Sequence, residues 1–250
     1  MALGFLAAWQ VIAWFCRRTG RNPEPLSNLL MLMMVSGVVG SRIAYVIEHW
    51  GSEFAEHPER IIRVDQGGLM FYGGLLLSIV AFFVWCWVKR EKVLPLADLF
   101  MVVVPLGHAF GRIGCFFFGC CYGRQVDCAC AVSFPRGSPA WYEQVNHGLI
   151  QSSAQVSLPV LPTQLFEAAS VLALFGILFA LYRRFGVSRC GLVTGAYLVG
   201  YALIRFGIEV LRGDPRAAVG PFSISQTISL GLFAVGVALL ASSLRRIRTS

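Results

Sequence analysis

Charge is what this chain has least of. Only 14% of its 250 residues are charged, and acids are the scarcer sign, with 13 Asp+Glu against 21 Lys+Arg. Such a low charge density beside 56% hydrophobic residues excludes a disordered chain, which needs the opposite composition. It also argues against a water-soluble domain, because a core of this size cannot hide so much apolar surface. Low-complexity tracts are lacking, and so is any repeat with a period of about 20–50 residues, which excludes a solenoid. The first apolar run has no basic segment ahead of it and no clear small-x-small cleavage site, so it reads as a span rather than a signal peptide. Long hydrophobic runs are what the chain does have, and they make it an all-α polytopic membrane protein.

A spanning helix needs about 20 mostly apolar residues. Seven stretches come close: Leu3–Cys16, Leu29–Ile47, Gly67–Val88, Leu94–Phe110, Leu165–Tyr182, Cys190–Leu211 and Phe222–Leu244. Basic residues follow every second one: Arg17, Arg18 and Arg21; Lys89, Arg90 and Lys92; Arg183, Arg184 and Arg189; Arg245, Arg246 and Arg248. These clusters hold 12 of the 21 basic residues and, besides Glu24 and Glu91, no acids. The positive-inside bias makes them cytoplasmic, giving seven transmembrane helices with the N-terminus outside and the C-terminus inside. The same placement explains the net charge of +8 without a nucleic-acid partner. Residues 1–250 thus read as a single integral membrane domain. Two long connections fall outside: His49–Gln66, with Glu53, Glu56 and Glu59, and Gly111–Pro162. The second is expected to form a small extracytoplasmic head, with Ala131–Phe134 as a short strand.

Three arginines, Arg42, Arg112 and Arg205, sit inside or at the rim of apolar spans. A central Arg costs about 2.5–3.5 kcal/mol on insertion scales, so it usually has a partner or a task. At 1.5 Å per residue Arg205 lies roughly 22 Å along a helix starting near Cys190, in the outer part of the bilayer, and the other two lie at similar or greater heights. Spans running the opposite way carry their polar residues at their outer ends: Gly67 to Gly74 around Phe71 and Tyr72, Gln164 with Glu167 one turn into its span, and Ser223, Ser225 and Gln226. Polar chemistry therefore gathers at one level, near the outer headgroups. Tyr201, Arg205 and Glu209 recur at i, i+4 and i+8 on one helical face, with Arg212 beyond them. A self-neutralising Arg–Glu pair is one reading of that face. Three separated arginines with fewer nearby acids favour the other, an anionic ligand, which at this depth is a phospholipid phosphate matched by the arginine fork. For any single glycine of the Gly67–Gly74 segment, helix packing is the better reading.

Five cysteines, Cys115, Cys120, Cys121, Cys128 and Cys130, cluster on the outer side, where disulfides are permitted. Their spacing lacks the paired C-x2-C of zinc ribbons, so structural disulfides or free thiols are expected rather than a metal. Cys16, Cys86 and Cys190 read as small apolar fillers. His49, His57 and His147 are loop residues; His108, one turn before Arg112, is a satisfied structural His or a contributor to the site.

The segment Gly111-Arg112-Ile113-Gly114-Cys115-Phe116, continuing to Gly119 and Gly123, resembles the G-R-x-G-N-F-x-N-G-E-x-x-G signature of prolipoprotein diacylglyceryl transferases. Gly40-x-Arg42-x-x-Tyr45 is similar to that family's second-span motif, and Gly67-Gly68-Leu69-x-x-Tyr72-Gly73-Gly74 to its Gly-Gly-Leu…His-Gly-Gly segment. Pro162-Thr163-Gln164-Leu165-Phe166-Glu167 resembles P-[ST]-Q-L-Y-E, Tyr201 to Arg212 resembles the span-six motif, and Ser225-Gln226 the pair before the last span. The motifs occur in the family's order across about residues 3–245. The Tyr-Gly element usually found ahead of span one has no counterpart here.

The resemblance implies transfer of the diacylglyceryl group of phosphatidylglycerol to the lipobox cysteine of a preprolipoprotein signal peptide, releasing glycerol phosphate. It implies a bacterial inner-membrane enzyme acting toward the periplasmic side, with membrane lipid as substrate and no cofactor or metal. Carried over residue by residue, it implies catalytic roles for Arg205, Arg112, Tyr72 and Glu209. It implies substrate binding by Arg42, Gly73, Gly74, Gln164, Glu167, Tyr201 and Gly123. This chain departs from the pattern where Cys115 and Phe118 replace the two Asn, Cys120 the Glu, Tyr72 the His, and Leu161 a His or Pro. It resembles a Cys-rich variant, in which the thiol base stays open between Tyr72, Glu209 and Glu167. A phenol is a weak base at neutral pH. Two other readings remain beside the transferase: an inactive lipid- or lipobox-binding paralogue, and a membrane thiol oxidoreductase.

Overall fold

The structure, a computed structural model, describes residues 2–63, 67–186, 188–214 and 218–245. Arg246 and Arg248 of the last basic cluster, and the end of the 49–66 connection, lie outside the described residues. The chain is mostly helical: α1 (Ala2–Thr19), α2 (Glu24–Glu48), α3 (Phe71–Lys89), α4 (Val93–Phe118), α5 (Pro139–Asn146), α6 (Thr163–Phe185), α7 (Leu192–Leu211) and α8 (Ile224–Arg245). Among the described residues, six of these, α2, α3, α4, α6, α7 and α8, are long and apolar enough to cross a membrane. The remaining expected span, Leu3–Cys16, is a helix within α1, which carries Arg17 and Arg18 in its last turn and is not among the six.

The chain divides into two compact units, one of residues 12–93 and one of residues 1–11 with 94–250. In the first, α2 and α3 pack through glycines. A Cβ on Gly40 would stand 2.5 Å from the Gly73 carbonyl oxygen, and one on Gly74 2.6 Å from that of Gly37. Small residues let the backbones meet where lipid supplies no hydrophobic drive. Ser78 Oγ adds a hydrogen bond to the Met33 carbonyl (2.9 Å). Between the two helices the chain makes a π-helical turn at Trp50–Phe54 and a 3-10 turn at Pro58–Ile62. Helix α3 begins only at Phe71, because Gly67 and Gly68 both adopt positive φ (87° and 73°) that a helix cannot continue.

In the second unit α7 packs against α6 and α8. The α7–α8 seam is again glycine-lined: a Cβ on Gly195 would lie 3.0 Å from the Gly236 carbonyl oxygen, and the reverse holds equally. Helix α4 runs eight residues past the expected end at Phe110. Gly111 and Gly114 do not stop it, since a lone glycine costs a helix only about 1 kcal/mol. It ends at Gly119, whose φ of 77° is the left-handed C-terminal cap and whose N–H reaches the Cys115 carbonyl (3.0 Å). The first residues of the 111–162 connection, Arg112 and Cys115 among them, therefore belong to a helix. In the head, Tyr122, Phe134, Ala140 and Val160 form a small core that Phe116 packs against. Ser138 caps α5 by accepting from the Trp141 N–H (3.3 Å). The strand expected at 131–134 is reduced to an isolated bridge, Val132 to Val160. A two-residue hairpin, β1 (Ala218–Val219) with β2 (Phe222–Ser223), leads into α8. Ser223 and Gln226 form a reciprocal capping box there, each side chain accepting from the other's N–H (3.2 and 3.0 Å).

Candidate functional site

Glu167 is the hub of the second unit. It enters one turn into α6 and is 1% exposed. Arg112 from α4 brings Nη2 to 3.1 Å from Oε1, and Arg205 from α7 brings Nη1 to 3.6 Å from Oε2. His108 Nε2, also from α4, stands 3.3 Å from the same Oε1. Arg112 Nε donates to His108 Nε2 (3.1 Å), so that ring nitrogen presents a lone pair to the guanidinium. The His108 ring lies edge-on to Tyr201, their centroids 5.4 Å apart. On the other side Arg205 Nη2 donates to Ser225 Oγ (3.0 Å) and pairs with Glu209 Oε2 at 2.9 Å, one turn along α7.

Two arginines thus meet two glutamates. The expectation of fewer acids than arginines at this level is not what the second unit holds, because Glu167 of α6, far in sequence from both arginines, meets Arg112 of α4 and Arg205 of α7. The pairing is nonetheless incomplete. Arg205 Nη1, Gln164 Oε1, Glu167 Oε1 and both Glu209 oxygens are buried without a hydrogen bond among the described residues, although all but Gln164 Oε1 and Glu209 Oε1 stand in ion pairs of 2.9 to 3.6 Å. Ion pairing without well-directed hydrogen bonds leaves the cluster short of a finished structural network.

Helix α6 delivers this set through its first turn. Gln164 Nε2 donates to the Cys120 carbonyl (2.7 Å) and Thr163 Oγ1 to the Cys121 carbonyl (2.9 Å), which ties the start of the head to the start of α6. Gly123 lies in the same seam: a Cβ there would meet Leu161 and Thr163 at 2.7 Å, so its glycine serves close approach. Arg212, just past α7, grips Asp214 with two bonds of 2.7 and 2.6 Å.

In this way Arg112, Arg205, Glu209, Glu167, Gln164 and Tyr201 come together in one unit. Arg42, Tyr72, Gly73 and Gly74 lie in the other. There Arg42 donates to the carbonyls of Ile61 (2.8 Å), Gly67 (2.9 Å), Gly68 (3.1 Å) and Arg60 (2.5 Å). Its donors are thus divided between the 3-10 turn at Pro58–Ile62 and the glycine pair before α3. Gly73 and Gly74, expected to bind substrate, face α2 in the helix seam, and their lack of a side chain is spent on packing. Tyr72 is half-exposed beside Phe71.

A family model described as prolipoprotein diacylglyceryl transferase matches residues 1–242 of the chain. The chain belongs to the prolipoprotein diacylglyceryl transferase family. Phosphatidylglycerol–prolipoprotein diacylglyceryl transferase 2 of Clostridium perfringens (strain 13 / Type A) is 30% identical over 239 residues, covering 96% of this chain and 87% of that protein. The phosphatidylglycerol–prolipoprotein diacylglyceryl transferase of Pseudoalteromonas translucida (strain TAC 125) is 32% identical over 249 residues, 95% of this chain and 85% of the relative. That of Stenotrophomonas maltophilia (strain R551-3) is 34% identical over 259 residues, at 97% and 85% coverage.

In this diacylglyceryl transferase family member, two groups stand out that the sequence alone underweights. His108 is one; its spacing of four from Arg112 on a helix was the available signal. The other is a set of three cysteines, Cys115, Cys120 and Cys121, whose sulfur atoms all lie within 4.8 Å of one another and are the one group among the described residues able to hold a metal ion. All eight cysteines are free thiols. A cavity of about 120 Å³ in the head, lined by Tyr122, Gln144 and Val160 among others, includes none of the charged cluster.

Proposed function

We propose that this chain transfers the diacylglyceryl group of phosphatidylglycerol to the lipobox cysteine of preprolipoproteins, releasing glycerol phosphate. The observation that carries the reading is the incompletely paired Arg112–Glu167–Arg205 cluster, in which buried Arg205 Nη1, 3.6 Å from Glu167 Oε2, has no hydrogen-bond partner among the described residues. A phosphodiester offers the acceptor oxygens that such a donor lacks. The family relatives' names supply the substrates. The basic segments at 17–21, 89–92, 183–189 and 245–248 support seven spans with the N-terminus outside, α1 being the first. That topology puts the cluster near the periplasmic face of a bacterial inner membrane.

In this scheme Arg205 and Arg112 hold the phosphate of phosphatidylglycerol and stabilise the charge that grows on it as the bond between glycerol C3 and oxygen breaks. The lipobox sulfur forms the new bond to that carbon, and the thiol proton must go to a base. His108 is suited to take it. As Arg112 turns to the phosphate, His108 Nε2 is released, and the new N–H faces Glu167 Oε1, 3.3 Å away, which stabilises the imidazolium. Glu209 orients Arg205, and Gln164 and Tyr201 line the approach. Arg42 acts as a positioning residue for the segment before α3.

The rival reading is an inactive lipid-binding paralogue. It is favoured by the near balance of two arginines against two glutamates and by the family Asn and Glu positions occupied by Cys115, Phe118 and Cys120. Purified protein in detergent, given phosphatidylglycerol and a lipobox peptide, separates the two. Glycerol phosphate release that requires the peptide cysteine and disappears in Arg205→Ala supports the transferase. No release from folded protein that still binds phosphatidylglycerol overturns it in favour of the paralogue.

A further inference from the structure

The proposed transfer makes no use of the three thiols where α4 passes into the head. Cys115 lies in the last turn of α4, and Cys120 and Cys121 follow the Gly119 cap. Cys121 has φ of 62°, a left-handed conformation rarely adopted by a side chain without a local hydrogen bond of its own. The turn is fastened on several sides. Cys120 N–H donates to the Cys115 carbonyl (3.2 Å), Gly123 N–H to the Leu161 carbonyl (2.8 Å), and the Cys120 and Cys121 carbonyls receive Gln164 and Thr163. Gln164 and Thr163 are themselves fully or nearly fully buried, so the thiols are held by a built backbone.

We propose that Cys115, Cys120 and Cys121 bind one thiophilic metal ion, zinc being the expected occupant, through three thiolates that leave a fourth position open. Tetrahedral zinc with Zn–S bonds of about 2.3 Å sets its sulfurs roughly 3.8 Å apart. Sulfur atoms already within 4.8 Å reach that spacing by small side-chain adjustments. No carboxylate or imidazole belongs to the set, and an all-sulfur donor group selects zinc or copper(I) over magnesium or calcium. Three thiolates around a divalent ion keep one net negative charge, and the Arg212 guanidinium, which also holds Asp214, lies beside Cys121. A disulfide would use two of the sulfurs and strand the third, whereas one metal ion uses all three. Cysteine spacing and the family resemblance both point away from a metal; the convergence arises from the Gly119 cap and the turn at Cys121, which spacing does not encode.

The test uses the full chain in detergent, purified under reducing conditions and given zinc alone or cadmium alone. One metal per chain is expected by elemental analysis, with a cadmium–thiolate charge-transfer band in the ultraviolet. Cys121→Ser and Cys120→Ser should weaken binding by at least about tenfold, since each removes a ligand. A Cys128→Ser, Cys130→Ser pair should leave it unchanged. A thiol-protection measurement on the unmodified chain avoids any folding defect: zinc should shield the peptide containing Cys115, Cys120 and Cys121 from alkylation but not Cys128 or Cys130, which are exposed. Absence of stoichiometric metal on the reduced chain overturns the proposal. So does equal uptake by a triple Cys115→Ser, Cys120→Ser, Cys121→Ser variant, or equal alkylation with and without zinc.

Discussion

Two carboxylates are sealed inside the unit of residues 94–250, and the protein treats them in opposite ways. Asp98, on α4 and wholly inaccessible, accepts from the Gly191 N–H (2.6 Å), the Thr194 N–H (2.7 Å) and the Thr194 hydroxyl (2.6 Å). All three donors sit at the start of α7, so the aspartate caps that helix from a neighbour and meets the positive end of its dipole. Glu167 is equally buried, yet it is shared by side chains from two other helices, and one of its own oxygens has no properly directed donor. A carboxylate filled by one rigid helix terminus is a brace. One stretched between two guanidinium groups and an imidazole leaves Arg205 Nη1 at 3.6 Å with no hydrogen bond among the described residues, the one donor there that an anionic ligand could take.

The largest effect should come from emptying the second carboxylate's partners. Arg205→Ala is expected to lower glycerol phosphate release per folded molecule by about 10³-fold, the scale of a lost charge-stabilising donor, with some loss of thermal stability because buried Glu167 and Glu209 lose a partner. A variant that keeps its rate would reduce the Arg–Glu cluster to a second brace. His108→Ala should follow, with a loss of about 10²-fold that small imidazole added to the assay partly restores. Failure of both the loss and the rescue would return the base to Tyr72, Glu209 or Glu167.

Asp98→Ala tests the other side of the comparison. It strands two backbone N–H groups and a hydroxyl, which should destabilise the protein by about 3 kcal/mol, with the rate per folded molecule preserved. Lipid-dependent loss of rate at unchanged stability would put Asp98 among the functional groups instead. The smallest effect is expected at Tyr72→Phe, whose rate should stay within about threefold because its hydroxyl is not needed once His108 serves as base. A loss as large as that of His108→Ala would sink this division of labour.

The apolar helices were legible in the sequence because hydropathy acts locally: each run of about 20 apolar residues is stable as a helix in lipid without consulting the rest of the chain. Six helices follow the expected runs closely, and α1 forms where the first was read, although its two terminal arginines leave it short of the others. Helix α4 outruns the expected end at Phe110 because glycine composition does not say which glycine turns left-handed; of Gly111, Gly114 and Gly119, Gly119 alone does. The polar residues were likewise visible one by one. Arg112, Arg205, Glu167 and Glu209 drew attention because charge in an apolar span is costly, and the cost is a property of each residue alone.

Which of those charges meet is a different matter. Asp98 and Thr194 are 96 positions apart, and nothing in either segment names the other. Glu167 finds Arg112 and Arg205 only because α4 and α7 are brought to α6, and three cysteines with no metal-binding spacing converge only after a glycine cap and a left-handed residue reverse the chain. The amino-acid sequence by itself determined the helices, the membrane class and the cast of polar residues, since these depend on short-range hydropathy and residue chemistry. Only the tertiary structure decided which carboxylate is a brace, which is shared between arginines, and which thiols stand together, because hydrogen bonds and ion pairs are set by distances of a few ångström between segments far apart in the chain.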